Sequence, residues 1–117
     1  ILSPFEVKVG ERILTSKNII IATGGRPLVP RIPGIEAVGY RTSDDIWELR
    51  QRPGKLLVLG GGPIGCELAQ SFQRLGADVT LVEMAPRILG REDVDVSQLV
   101  QSKFEEEGVR VETAHDN

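Results

Sequence analysis

The spacing of apolar and polar residues changes character near the middle of the chain. Phe5–Val9 alternates apolar with polar side chains, the period of a half-buried strand. Gly10-Glu11 interrupts it and Ile13-Leu14 resumes, so a tight hairpin is expected there. Asn18–Ala22 is a short, solidly apolar run, which predicts a strand buried on both faces. From Thr23 to Arg41 no period survives. Pro27, Pro30, Pro33, Gly34 and Gly39 would break any element begun there, so the stretch reads as a loop or linker. Thr42-Ser43-Asp44-Asp45 supplies a cap and early acids for a short helix to about Arg50, which Pro53-Gly54 stops.

The second half alternates strand and helix. Lys55–Leu59 predicts a buried strand, and Gly60–Gly62 a turn. Pro63 suits the first position of a helix whose apolar stripe is Ile64, Leu68, Ala69, Phe72 and Leu75, with Gly76 past its end. Val79–Val82 predicts a second strand and Met84–Arg91 a loop. A second helix follows, capped near Asp93, with Val96, Leu99, Val100 and Phe104 as its stripe and Gly108 as its stop; Val109–Val111 opens a third strand. That order implies an α/β fold, a parallel sheet with right-handed crossovers and flanking helices, preceded by a β-rich segment. No internal repeat or low-complexity tract is visible.

Composition narrows the class. The chain has 117 residues, 40% hydrophobic and 26% charged, with a net charge of −3 and a single Cys. Residues 1–52 carry net +2 and residues 53–117 net −5. One Cys excludes an internal disulfide framework and a multi-cysteine metal knot. The apolar runs are too short to span a membrane, no secretory signal is visible, and the mild acidity argues against a nucleic-acid partner. The expectation is a soluble, cytoplasmic chain without a metal site.

The sharpest chemistry lies in Gly60-Gly61-Gly62-Pro63-Ile64-Gly65, a GxGxxG string. Alone the string is weak. Here it has a strand before it, a helix after it, and an acid, Glu83, closing the second strand. Gly60 permits the tight turn, Gly62 lets a pyrophosphate approach the backbone, and Gly65 allows close packing of helix on sheet. The helix start offers N–H groups and a positive dipole end to phosphate. Glu83 is placed to accept hydrogen bonds from an adenosine ribose. Against the 2′-phosphate of NADP it would repel by roughly 1 kcal/mol in water and about 4 kcal/mol near a protein surface at 4 Å. NAD(H) is therefore expected over NADP(H). Arg87, four residues on, could partly offset that repulsion; the simpler reading is a solvent-facing loop residue.

Gly60–Gln70 (GGGPIGCELAQ), Leu75–Glu83 (LGADVTLVE) and Pro86–Leu89 (PRIL) together resemble the nicotinamide-binding domain of flavoprotein disulfide reductases, nearest its dihydrolipoamide dehydrogenase and mercuric reductase branches. A second segment agrees: Ile21–Pro27 (IATGGRP), Pro30 and Ile32-Pro33-Gly34 are similar to the ATG segment that closes the family's FAD domain. The resemblance implies residues 1–40 as the tail of an FAD domain with its linker, and residues 41–117 as a C-terminally truncated Rossmann domain. Hydride would pass from NADH to FAD and on to a disulfide or metal acceptor. The family's redox cysteine pair and His–Glu acid–base pair would lie outside this chain, which alone would bind a dinucleotide at most. The whole protein would be a homodimer, and this chain would self-associate through residues 1–40.

The resemblance also assigns residues. Gly60, Gly62 and Gly65 would line the pyrophosphate, with Pro63 and Ile64 of the same turn in the cofactor site and Pro63 near the flavin–nicotinamide contact. Glu67 would lie close to the nicotinamide carboxamide; from the residues alone it is an ordinary first-turn helix acid. Thr23 and Gly24 would touch FAD; from the residues alone they are a strand-to-loop turn. No residue here is expected to be catalytic. Glu83 departs from the NADPH-using mercuric reductases and matches the NADH-using branch. Cys66 reads as a small core filler, His115 as a tail residue, and Glu105-Glu106-Glu107 as a solvated helix end. The rival reading is a non-catalytic, redox-sensing dinucleotide module, against which the ATG segment stands. A mononucleotide site would have no use for Glu83.

Overall fold

The computed structural model describes residues 1–114. Two separate sheets carry the two periodicities. Strands β1 (Glu6–Val9) and β2 (Arg12–Thr15) pair antiparallel as a hairpin, with Val9 opposite Arg12 and Gly10 in the left-handed region at the turn. Strands β3 (Lys55–Leu59), β4 (Asp78–Glu83) and β5 (Arg110–Thr113) form a parallel sheet in the order β3-β4-β5. Leu57 faces Thr80, which faces Arg110. Helix α1 (Pro63–Arg74) joins β3 to β4, and α2 (Val94–Glu106) joins β4 to β5.

Both crossovers run the same way along the sheet, so both helices cover one face. Ala69 of α1, Val79 and Leu81 of β4 and Ile88 of the following loop are completely buried there, with Cys66, Ala77, Phe104 and Val109 beside them. The other face is open. Leu57 is 60% and Leu59 47% exposed, so β3 alternates instead of being buried on both sides.

The expected stripes hold in part: Ala69 and Phe104 are buried, and Phe72 and Val100 pack against the core. In α2, Ser97 and Phe104 point inward while Val96 and Leu99 are exposed. In α1, Cys66 and Ala69 are buried, whereas Ile64 and Leu75 at its two ends face outward. At the far ends of the helices Glu107 accepts from Arg74 through both carboxylate oxygens, at 2.8 and 2.7 Å, and from Gln70 at 2.9 Å. Its carboxyl is held below the usual range by those bonds, Arg74's above all. Glu107 is therefore a tie between helices, not part of a solvated run.

The first half departs furthest from expectation. Asn18–Ala22 forms no strand; Ile20 is 89% and Ile21 70% exposed. An extended segment becomes a strand only when a neighbour accepts its backbone groups, and no described strand lies beside it. The helix expected to Arg50 is reduced to a single 3-10 turn, Ile46–Glu48. Just ahead of it, Thr42 N–H donates to Asp45 Oδ1 at 2.6 Å. That bond is the main reason the Asp45 carboxyl lies low. Leu49 is already extended, so the element ends before helix propagation can offset its nucleation. Another 3-10 turn occupies Ile35–Val38 inside the expected loop. The radius of gyration is 19.5 Å, against about 13 Å for a compact chain of this length, because residues 1–41 extend away from the parallel sheet.

Candidate functional site

The turn between β3 and α1 is shaped by close approaches. Gly60 has a φ of 110°, which only glycine adopts without strain. A Cβ on Gly65 would stand 2.0 Å from the Gly60 carbonyl oxygen, so the helix could not sit this close to the strand with any other residue. Gly62 is different: a Cβ there would meet nothing within 4 Å. It caps α1 in an extended conformation with no side-chain cap, and Pro63 follows at the first helical position. The helix start therefore has no side-chain cap and open space at Gly62, the condition for an anion site.

Glu83 is brought directly to this turn. Its Oε2 accepts the Gly61 N–H at 2.7 Å and its Oε1 accepts the Ala85 N–H at 2.8 Å. A carboxylate has about four lone-pair positions, so each oxygen keeps acceptor capacity beyond these bonds. Cys66, one helical turn in, is buried and donates to the Gly61 carbonyl at 3.4 Å. Burial above all, with the carboxylates of Glu83 and Glu67 adding, pushes its thiol up to about 11. It remains a protonated filler.

The other expected site residues are dispersed. Ile64 and Glu67 lie exposed on α1, on the wall of a cleft of ≈ 590 Å³ that Trp47 and Leu75 also line. Thr23 and Gly24 lie in the exposed arm, with no hydrogen bond to the glycine turn among the described residues. His115 lies outside the described residues. Among the described residues, no three His, Cys, Asp or Glu side chains are grouped to hold a metal ion, and no helix is long and apolar enough to cross a membrane.

Several contributors were not singled out from the sequence. A Cβ on Gly61 would stand 2.8 Å from Ile88 Cγ2 and 3.1 Å from Glu83 Cβ, so the middle glycine is also fixed by packing. Leu89 N–H donates to the Gly61 carbonyl at 2.7 Å. Ser97 Oγ, buried, donates to the Ile88 carbonyl at 2.6 Å. The one signal for Ser97 was its spacing with Val100 and Phe104, which puts a hydroxyl in an apolar stripe. Arg87 is half-buried and does not extend freely into solvent: its guanidinium turns back onto its own loop.

A parallel β–α–β–α–β sheet, with a glycine turn out of its first strand and an acid at the end of its second, defines the Rossmann-type class of α/β folds. Residues 3–116 match the family described as Pyridine nucleotide-disulphide oxidoreductase, and the chain belongs to that family. It is 38% identical over 107 residues to the mercuric reductase of Bacillus cereus, covering 92% of this chain and 17% of that protein. To the dihydrolipoyl dehydrogenase of Bacillus subtilis it is 38% identical over 105 residues, covering 90% of this chain and 23% of that protein. The Cu(II) complex of the HOCl-induced flavoprotein disulfide reductase RclA from Escherichia coli matches with a TM-score of 0.75 at 33% identity, over 97% of this chain and 26% of that one. The chain thus spans 17% and 23% of the length of the two curated relatives.

Proposed function

We propose that this chain is the NAD(H)-binding part of an FAD-dependent oxidoreductase, with residues 1–40 as the end of its flavin domain and residues 41–117 as the nicotinamide domain. The observation that carries the reading is the 2.7 Å bond from Gly61 N–H to Glu83, which holds the ribose-side acid against an open, uncapped helix start. The residues present fit a dinucleotide: the space at Gly62 is free for a pyrophosphate, and Glu83 retains acceptors for ribose hydroxyls. When bound, the nicotinamide supplies hydride chemistry; the protein orients it. Gly60, Gly62 and Gly65 shape the phosphate cradle, Pro63 and Ile64 border it, Glu83 takes the ribose, and Glu67 lies toward the nicotinamide end.

The family match supports the same reading for the whole protein. Electrons would leave NADH through FAD to a disulfide or metal acceptor, in a cytoplasmic homodimer. The relatives carry names with different acceptors, which supports placing the choice of acceptor elsewhere in the protein. Thr23 and Gly24 alone do not make a flavin site, and the 117-residue chain is inactive by itself. Calorimetry with NADH and NADPH on the purified chain tests the reading. NADH should bind more tightly, and Gly62→Val should abolish binding while the chain stays folded, because the new side chain fills only open space. Equal or stronger NADPH binding would remove Glu83 from the ribose. A folded Gly62→Val that binds like the parent would reduce the glycine string to a turn.

A further inference from the structure

The loop from β4 to α2, residues 84–92, is built more tightly than a connection requires. Arg87 Nη1 donates to the carbonyls of Leu89 at 3.2 Å and Glu92 at 2.9 Å, and its Nη2 donates to that of Gly90 at 2.9 Å. Ser97 anchors the Ile88 carbonyl from α2. Leu89 holds a φ of 49°, in the left-handed region. A leucine stays in such a conformation only where its surroundings over-determine it. Those surroundings include the glycine turn: Leu89 N–H is bonded to the Gly61 carbonyl, and Ile88 fills the space a side chain on Gly61 would need.

We propose that Arg87 is a positioning residue for the dinucleotide, acting by clamping the 84–92 loop so that Ile88 and Leu89 hold Gly61 and its turn against Glu83. The proposal rests on the dinucleotide reading above. An arginine four residues beyond the ribose acid could instead contact a 2′-phosphate directly. Here backbone carbonyls engage both terminal nitrogens, and a planar fork of donors suits that task better than a point charge does. The clamp acts on the turn common to both dinucleotides, so losing it weakens NADH and NADPH alike. It does not change the preference between them.

The test uses the whole 117-residue chain. Dissociation constants for NADH and NADPH, and amide hydrogen exchange at Gly61 and Leu89, are measured for the parent, Arg87→Ala, Arg87→Lys and Ser97→Ala. For Arg87→Ala both constants should rise about tenfold, as for one lost charge-assisted hydrogen bond, with their ratio kept within about twofold. Exchange at Gly61 and Leu89 should quicken while Leu81 in β4 stays protected. Arg87→Lys should recover part of the loss. If Arg87→Ala fails to fold, Ser97→Ala loosens the same loop from its other end and should give the same pattern, smaller. Loss of NADPH affinity alone would mean that Arg87 reads the phosphate, and would overturn the proposal. So would unchanged affinities with freed amides. A parent chain that binds neither dinucleotide sinks the underlying reading first, and does so before any variant is made.

Discussion

Asn18–Ala22 and Lys55–Leu59 are similar strings in opposite circumstances. Each has one polar residue followed by four apolar ones, yet Ile20 stands 89% exposed and its segment pairs with no described strand. The second is a ladder strand with one face against α1. The difference is what the neighbouring sequence supplies. A right-handed crossover returns β4 to lie beside β3 and lays α1 over both, so the unit carries its own cover. The arm has only a two-stranded hairpin, and a lone hairpin is marginal in water. A run of apolar residues specifies that burial is needed and does not specify the partner.

The most damaging way to break the contrast is Gly65→Ala. The new Cβ would stand 2.0 Å from a backbone oxygen that cannot move without opening the turn. We expect a loss of about 3 kcal/mol or more, at the upper end of overpacking costs. Thermal unfolding followed by circular dichroism should show the parallel-sheet unit melting well below the parent. Amides of the β1–β2 hairpin should exchange as before. A variant that melts like the parent would mean that helix and strand are not held by this contact.

Alkaline titration sharpens the comparison with a smaller effect. The Cys66 thiol, pushed up to about 11, stays protonated in the fold, whereas an unfolded thiol ionises near 8.5. Because the folded value is the higher one, the contribution is complete below about pH 8.5 and is lost as pH rises toward 11. Its size is roughly 3 kcal/mol. Denaturant melts of the parallel-sheet unit at pH 8 and 10.5 should show the decline, and Cys66→Ala should remove that part of the slope. An identical slope in both chains would assign the loss to other groups.

Legibility followed the same division. Lys55–Leu59 was bounded to the residue, and α1, β4 and α2 within a residue or two, because each has a local stop: Gly60, Pro63, Gly76, Asp93, Gly108. Glu83 was found from its spacing to the glycines, and the 2.7 Å bond brings it to that turn. What the pattern could not carry was which face is covered. Val96 and Leu99 read as inward, yet Ser97 occupies the core side, since a helix's rotation is set by the loop it must support. Arg87 was equally opaque: a guanidinium bonded to backbone carbonyls leaves no trace in the spacing of side chains.

The smallest effect expected on the parallel sheet is that of deleting residues 1–40, and it is the one that decides whether the two regions are independent. The core residues all lie between Cys66 and Val109 apart from Ile46, so the deletion removes none of them. Its melting temperature should change little, and NADH affinity should stay the same, because the glycine turn and Glu83 draw their hydrogen bonds from residues beyond 58. Association should change instead. Leu2, Phe5, Val9 and Ile13 are each more than half exposed beside the short, unpaired edges of the hairpin, the arrangement that invites strand pairing between chains. Sedimentation should therefore find the 117-residue chain self-associating and the shortened chain monomeric. If both are monomers, and hydrogen exchange protects residues 1–40 as firmly as β4, the arm packs on the sheet in solution and the boundary proposed at residue 41 is wrong.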